Sequence, residues 1–357
     1  MAETITIAGA GPAGLAAAIY LARGGRKVRV LERAPHVGSR FFGDQQGIEN
    51  WSRKQDALDE LSALGIRTSF TSTAVNQIHY TGPARQLVEL KDSAPFFYLV
   101  RRGNTAGSLD CSLYEQALAA GVEVQFGRRC APDRADIMAT GPRGISGVAL
   151  GYVFATDSPP QALLFFDNEL APGGYAYLLI SNGCGTLATT FPRNFRLARL
   201  YLQRTVAAAT ALVGLRMHQP RLFGGRGHFY LAQQFRTGFT LISGEAAGLQ
   251  DFFMGFGIRY ALLSGILAAR SILEHVDYED LIRSHFHELM QTSVVNRFAF
   301  EQLGNRQLDW LCKIVARVAE PRAFLYRRYR PSWKKRLLFP LACWRLGARL
   351  RQPQIRL

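Results

Sequence analysis

Three glycines and one carboxylate near the N-terminus have the types and the spacing of a dinucleotide-binding turn. Gly9, Gly11 and Gly14 form a GxGxxG pattern, and Glu32 follows at the end of the next predicted strand. Gly9 permits a tight turn, Gly11 lets a pyrophosphate approach the backbone, and Gly14 lets a helix pack closely. A carboxylate at Glu32 accepts hydrogen bonds from ribose hydroxyls and repels a 2′-phosphate. The pattern therefore predicts FAD or NAD rather than NADP at this turn.

The flanking segments predict the strand–turn–helix–strand unit that such a turn requires. Residues 4–8 are a short β-branched apolar run, typical of a buried parallel strand. Residues 15–23 are strong helix formers, and a pair of glycines follows them. Residues 27–32 form the second strand. Because backbone N–H groups at a helix start attract phosphates, the unit is a complete cofactor-binding element.

A second glycine cluster, GEAAGLQDFFMGFGIRYALLSG, occupies residues 244–265. A predicted strand at residues 239–243 leads into Gly244, and a helix is expected to begin near Gly257. A strand that leads through glycines to a helix N-terminus again favours an anionic or electron-rich group. The chain thus carries two turns of similar physical character, far apart in sequence.

The second cluster resembles the GDAAG…GxGI segment of flavoproteins related to para-hydroxybenzoate hydroxylase, and most closely that of the geranylgeranyl reductase family. Glu245 stands where that family usually has aspartate. The resemblance implies an α/β fold: a Rossmann-like FAD-binding domain of the hydroxylase type, an inserted antiparallel-sheet substrate domain and a helical C-terminus. It also implies that FAD lies extended, with its ADP half on the first turn and its ribityl chain and ring on the second.

Further segments extend the resemblance over most of the chain. Residues 108–126, with Asp110, are similar to the family's acidic-residue-then-helix segment, and residues 135–141 to its strand-plus-ATG element. Residues 171–191 are similar to the substrate-sheet segment. The cofactor contacts that the two turns and the resemblance imply are Gly9, Gly11, Pro12, Ala13, Gly14, Glu32, Arg33, Arg40, Arg102, Gly141, Gly244, Glu245, Gly255, Phe256, Gly257 and Ile258.

Four residues are candidates for the reaction itself. Tyr175 and Tyr177 share one face of a predicted strand, and the resemblance places that strand over the flavin. Ordinary sheet packing would explain this aromatic pair equally well. The resemblance also places the loop containing Asp44 and Gln45 near the ring, although a capped turn accounts for these two residues as well.

The middle of the chain predicts an antiparallel sheet followed by a helix. Asn182-Gly183 is a strong signal for a two-residue hairpin turn, and residues 193–214 read as an amphipathic helix. Further strands are expected at residues 228–243. With the resemblance, this predicts an FAD-binding domain from residues 1–70, 100–155 and 236–275, a substrate domain from 71–99 and 156–235, and a helical basic region at 276–357.

Positive charge is concentrated at the C-terminus. The net charge is +16, and residues 321–357 hold eleven Lys or Arg and no Asp or Glu, mixed with tryptophan, leucine and phenylalanine. This mixture favours contact with a membrane surface over a merely solvated basic face, and over nucleic acid. Pro340 is expected to divide the region into two short helices. The pattern predicts a cytoplasmic protein with peripheral membrane association.

No metal site is predicted. The five cysteines are scattered without a CxxC pair, which is typical of a reducing compartment. His285 and His287 are two residues apart and would lie on different faces of a helix.

The leading functional hypothesis is an FAD-dependent oxidoreductase that reduces carbon–carbon double bonds of an isoprenoid or similar lipid. Its electrons would come from NAD(P)H, bound transiently, or from ferredoxin. The alternative is an FAD-dependent monooxygenase acting on a small aromatic or lipid substrate, which shares the fold and both turns. A flavin halogenase is disfavoured because GYAYLLIS contains no Trp-x-Trp pair. A non-enzymatic surface-binding protein would not retain the complete first turn.

Overall fold

The computed structural model describes residues 4–351. Residues 1–3 and 352–357, with Arg356 of the basic tail, lie outside this part of the chain. The strands are β1 Ile5–Ala8, β2 Val28–Glu32, β3 Gln45–Glu49, β4 Ser72–Val75, β5 Gln77–Thr81, β6 Leu87–Lys91, β7 Phe97–Arg101, β8 Glu123–Phe126, β9 Ile137–Met138, β10 Gly147–Ala155, β11 Gln161–Phe165, β12 Tyr175–Ser181, β13 Cys184–Phe191, β14 His218–Gly227, β15 Arg236–Thr237 and β16 Thr240–Ile242. The helices are α1 Pro12–Arg23, α2 Ala57–Ala63, α3 Leu109–Ala119, α4 Ala198–Val213, α5 Ile258–Glu274, α6 Tyr278–Glu301, α7 Asn305–Val315, α8 Pro321–Arg328 and α9 Trp333–Leu346.

The first sheet is the predicted nucleotide-binding sheet. Its strand order is β15-β16-β9-β1-β2-β8, parallel except at the β15 edge. Ile7 lies at its centre, paired with Val30 on one side and Ile137 on the other, and all three are fully or almost fully buried. α1 packs against both α3 and α5 beside this sheet. The β1–α1–β2 unit confirms the predicted strand–turn–helix–strand, with Gly24 ending the helix.

The second sheet is antiparallel over most of its width, with the order β14-β10-β13-β12-β11-β5-β6. Asn182 and Gly183 connect β12 and β13 with φ of 50° and 70°, as a type I′ hairpin turn requires, so the predicted hairpin is confirmed. α4 covers one face of this sheet around Leu178 and Leu187. It lies within the helix predicted at residues 193–214.

Two sequence-based boundaries differ from the structure. β10 was assigned to the FAD-binding domain, yet it pairs along its length with β13 and β14 in the second sheet. That division of the chain therefore falls before residue 147. Of the further strands expected at residues 228–243, β15 and β16 are present, but residues 228–235 contain no strand, and the preceding strand β14 occupies residues 218–227. In both cases the pairing partner lies far away in sequence.

The C-terminal helices extend from the nucleotide-binding domain to the second sheet. α6 packs against α5 and α9, with the Phe286 ring stacked on Tyr260. The predicted break at Pro340 is wrong, since Pro340 lies inside α9. The helices separate at residues 329–332 instead, where Pro331 precedes Ser332, whose side chain caps α9. Within residues 4–351, no helix is long and apolar enough to cross a membrane.

Candidate functional site

The first glycine turn has the geometry that a bound phosphate requires. Gly9 has a φ of +104°, which L side chains rarely adopt, and Gly14 lies so close to the Gly9 carbonyl that a β-carbon there could not be accommodated. At Gly11, in contrast, no described atom lies within 4 Å of the position that a β-carbon would take. α1 begins directly after Gly11 without a side-chain cap. The space over Gly11 is therefore open, and it lies at the N-terminal, positive end of α1.

Glu32 forms the edge of this turn. Its two carboxylate oxygens accept hydrogen bonds from Ala10 N and Ala34 N, both at 2.8 Å. Ionised carboxylates offer about four acceptor sites, so these two bonds orient the group and leave capacity for ribose hydroxyls. Arg33 follows it along the same cavity wall.

The second turn lies against the first. Gly244 has a φ of +65°, and a β-carbon on it would lie 2.9 Å from the Ala13 side chain. Its N–H donates to Ser264 Oγ of α5 at 3.0 Å. α5 begins after Gly257, again without a side-chain cap. Since Ala13 and Ile258 both line one cavity, the positive ends of α1 and α5 converge on it.

Arg40 and Glu245 form an ion pair at the second turn. Arg40 Nη1 donates to Glu245 at 3.0 Å, and Arg40 Nη2 donates to the Arg226 carbonyl at 2.7 Å. Glu245 also accepts a longer bond, 3.4 Å, from His228 N. Both members of the pair line the cavity, so the glutamate is held by a counter-charge within the proposed cofactor space.

Arg102 is buried and held on several sides. It forms a bidentate pair with Asp110, with both bonds at 2.9 Å, and donates to Gln46 Oε1 at 2.9 Å. Its guanidinium lies 4.0 Å from the centre of the Phe41 ring. Arg102 therefore fastens the loop after residue 40 to the start of α3, with part of its side chain on the cavity wall.

One cavity of about 1170 Å³ connects these features to the second sheet and the C-terminal helices. Of the predicted cofactor contacts, it is lined by Gly11, Pro12, Ala13, Glu32, Arg33, Arg40, Arg102, Gly141, Glu245, Gly255, Phe256, Gly257 and Ile258. Within the described part of the chain, the residues that line the cavity do not include Gly9, Gly14 or Gly244. Their role is conformational, because they allow the turns and the close approach of α1 and α5.

The four catalytic candidates separate into two groups. Tyr175 and Tyr177 line the cavity with ring centres 6.0 Å apart, and burial raises the pKa of both phenols. Tyr175 donates to the Met254 carbonyl at 2.5 Å. Gln45 also lies at the wall, but its side-chain amide donates to the carbonyls of Ser181 and Cys184.

Asp44 is the candidate whose side chain is engaged within its own loop. It is buried, and it accepts bonds from Phe42 N at 3.0 Å and from Gln46 Nε2 at 2.8 Å. It is not among the described residues that line the cavity. These contacts fit a turn-stabilising carboxylate. Asp44 also raises the pKa of the nearby Tyr177 phenol, and its place near the ring stays a prediction.

Several cavity residues were missed by the sequence analysis. Tyr329, fully buried between α8 and α9, lines the cavity and donates to Asp251 at 2.7 Å. Asp251 also accepts from Ser293 Oγ, and burial raises the pKa of Asp251 against the lowering effect of its hydrogen bonds. Trp51 lines the same region, and its buried Nε1–H has no hydrogen-bond partner among the described residues. Asp251 lies within the second glycine cluster, whereas no local motif marks Trp51 or Tyr329. The three residues come from distant segments.

The residues present fit FAD. The open space over Gly11, two helix N-termini without side-chain caps and the oriented Glu32 carboxylate match a phosphate and ribose ligand. Among residues 4–351, no group of three or more His, Cys, Asp or Glu side chains could hold a metal ion.

Comparisons of sequence identify relatives of the N-terminal unit. The sequence-family model that describes the NAD(P)-binding Rossmann-like domain matches residues 7–78. The thiamine thiazole synthases of Pyrococcus horikoshii and Pyrococcus abyssi are 38% and 36% identical over 63 residues, which is 18% of this chain. The match spans only about a quarter of the length of these curated relatives, 25% in each case.

Comparisons of structure extend over nearly the whole chain. A geranylgeranyl bacteriochlorophyll reductase-like protein from Thermoplasma acidophilum is similar with a TM-score of 0.73 and 20% identity, covering 98% of this chain and 100% of that one. The flavin-dependent halogenase CmlS is similar with a TM-score of 0.63 and 16% identity, covering 98% and 71%. PqsL of P. aeruginosa, solved with 2-aminobenzoylacetate, has a TM-score of 0.57 and 16% identity, covering 92% and 100%. The protein therefore shares the fold of these structures, a Rossmann-like α/β domain combined with an antiparallel sheet and C-terminal helices, as the sequence predicted.

Proposed function

We propose that the protein is an FAD-dependent oxidoreductase that reduces carbon–carbon double bonds of a long, apolar, isoprenoid-like substrate. The observation that carries this proposal is the continuity of one cavity from the two glycine turns to an apolar chamber at the second sheet and the C-terminal helices. The similarity to a protein described as a geranylgeranyl bacteriochlorophyll reductase-like structure supports the reductase assignment. Halogenases and PqsL share the fold, so the fold alone does not decide the reaction.

The polar end of the cavity would hold the cofactor. Glu32 would accept the adenosine ribose hydroxyls, and the backbone at Gly11 to Ala13 would hold the pyrophosphate. Arg40 and Glu245 would meet the ribityl chain, and the segment from Gly255 to Ile258 the ring. FAD, when bound, supplies hydride transfer.

The apolar end of the cavity favours an apolar substrate. Its walls include aromatic and aliphatic side chains from the second sheet and the residue after β11, from β7, from the loop before α5 and from the C-terminal helices: Ile78, Leu90, Phe97, Phe166, Tyr177, Leu179, Phe253, Met254, Phe300 and Leu311. Their burial against a lipid-like chain is favourable at about 25 cal/mol per Å² of apolar area. A small charged substrate would find few partners among these residues.

Reduction of a double bond also needs a proton, and the cavity contains groups able to hold one. Burial raises the pKa of Tyr177 and of Tyr329, so both phenols keep their protons near neutral pH. Tyr329 is in contact with the buried Asp251, which orients its hydroxyl.

The test is the mass of the product. The purified protein would be incubated with FAD, a membrane lipid extract and NADH, NADPH or dithionite-reduced ferredoxin, once in air and once without oxygen. Gain of hydrogen pairs by an unsaturated lipid without oxygen is the expected result. Gain of an oxygen atom only in air would instead assign the protein to the monooxygenases, and a protein that binds no flavin would overturn both assignments.

A further inference from the structure

α9 is apolar on two opposite faces. One face packs into the core through Ala342 and Leu346, with Phe339 and Cys343 half-buried beside them. The other carries Trp333, Leu337, Leu341 and Trp344, which are 68%, 70%, 45% and 72% exposed. Their spacing of four, four and three residues places them on one side of the helix. We call these four residues the outer stripe.

Positive charge flanks the outer stripe. The Lys334 ammonium lies 5.6 Å from the Trp333 ring, and the Arg345 guanidinium lies 5.6 Å from the Trp344 ring. Arg336 is also exposed, with a 3.5 Å contact to Glu288 of α6. Residues 321–351 contain no Asp or Glu. An indole thus stands near each end of the stripe, next to a cation.

The helix is attached firmly to the rest of the protein. Lys335 Nζ donates to the carbonyls of Arg328 and Arg330 at the end of α8. Arg349, just beyond α9, forms a bidentate pair with Glu301 at 3.0 and 2.8 Å. The stripe is therefore presented on a supported helix that needs no rearrangement to meet a flat surface.

We infer that the outer stripe docks the protein on the surface of an anionic phospholipid bilayer, with α9 in the plane of the interface. Leucines between two indoles suit the boundary of head groups and acyl chains, and the flanking cations suit lipid phosphates. A second copy of the chain would bring these cations against each other. Nucleic acid would leave Leu337 and Leu341 without apolar partners.

This inference goes beyond the proposed reaction and does not depend on it. It assigns an attachment surface, which can be measured with no substrate or electron donor. α7 adds a related observation, since Trp310 and Ile314 line the cavity wall while being 65% and 38% exposed.

The experiment is co-sedimentation of the full chain with vesicles of phosphatidylcholine, alone and mixed with phosphatidylglycerol. The stripe variant replaces all four stripe residues with serine, and the charge variant is Lys334→Glu with Arg345→Glu. The matched controls change exposed residues elsewhere: Phe239→Ser for the stripe, and Lys27→Glu with Arg129→Glu for the charges.

We expect the wild type and both controls to sediment with the mixed vesicles. The charge variant should bind them at least roughly tenfold more weakly, and the stripe variant should remain in solution. Equal binding by the stripe variant and the wild type would overturn the inference. Equal losses of vesicle binding in the charge variant and its control would also overturn the inference, since binding would then depend on net charge alone. If the wild type formed a dimer and the stripe variant were a monomer, the surface would instead be assigned to a second copy of the chain. If DNA binding required the stripe, the surface would be assigned to nucleic acid.

Discussion

Gly265 of α5 lies directly against the backbone of Ala13 in α1, with no room for a β-carbon between the helices. Gly244, at the second turn, approaches the Ala13 side chain. Glycine thus lets the first turn of α1 meet the middle of α5, and the glycine turns before the two helices open into the same cavity. The second cluster completes the site begun by the first.

Replacing Gly265 with alanine should separate α1 from α5. The new methyl group would meet the Ala13 carbonyl, which belongs to backbone and cannot move aside. We expect a loss of about 1–3 kcal/mol in the free energy of unfolding, together with a lower content of bound FAD. Urea unfolding and flavin absorbance of the purified protein would measure the two effects.

Gly224→Ala is the matched control. The nearest atoms to a β-carbon at Gly224 are 3.9 Å away, so this change should leave stability and flavin content almost unaltered. If both glycine variants behaved alike, close helix contact would not explain the role of Gly265.

Glu32→Ala should weaken binding of FAD and of ADP equally. The carboxylate is oriented by two backbone N–H groups at the end of β2, and the predicted partner belongs to the adenosine half. Loss of hydrogen bonds to a charged group costs about 1.5–3 kcal/mol, or roughly tenfold to a hundredfold in affinity. Titration calorimetry with each ligand would show it. Glu123→Ala, on the neighbouring strand and paired with Arg29, is the control and should bind both ligands normally.

Glu245→Ala should weaken FAD binding while leaving ADP binding intact. Glu245 and its partner Arg40 lie at the second turn, where the ribityl chain is expected. Titration calorimetry with FAD and with ADP distinguishes contacts to the ribityl half of the cofactor from contacts to its ADP half. An equal loss for ADP would mean that Glu245 shapes the first turn instead, and the extended cofactor pose would have to be abandoned.

Arg102→Met should strongly destabilise the protein. It leaves the Asp110 carboxylate buried without its bidentate partner and removes the contact with Phe41. Breaking a buried pair from one side costs about 3–5 kcal/mol, to be measured by chemical unfolding. The exposed pair of Arg270 and Glu274 provides the comparison, since Arg270→Ala should cost less than about 1 kcal/mol. Similar losses at the two sites would argue against a supporting role for Arg102.

The stability of the basic region should depend on Lys335. Burial lowers the pKa of Lys335 from its usual 10.5 to about 8. Between these values the unfolded chain holds a proton that the folded protein has released, so raising the pH favours folding. The free energy of unfolding of the wild type, relative to Lys335→Met, should therefore rise from about pH 8 to pH 10.5. Lys334→Met, an exposed neighbour, should show no such trend, and a flat difference for Lys335 would contradict its burial.

The local elements were predictable because their signals are local. The glycine spacing around α1, the Asn182-Gly183 turn and the glycine before α5 each specify a backbone conformation within a few residues. β10 could not be assigned in this way, because its partners β13 and β14 come later in the chain. At Pro340 a local signal was misleading: proline usually interrupts a helix, but packing of the surrounding residues keeps α9 continuous there.

The sequence by itself determined the cofactor turns, since glycine conformations and the Glu32 position depend on residue type and spacing alone. Only the tertiary structure decided which polar groups face the cavity. The amide of Gln45 is engaged by carbonyls from the hairpin of β12 and β13, and Asp44 supports a turn. Tyr329 and Asp251 meet from segments far apart in the chain. Such contacts depend on which distant elements pack together, and no spacing within one segment encodes them.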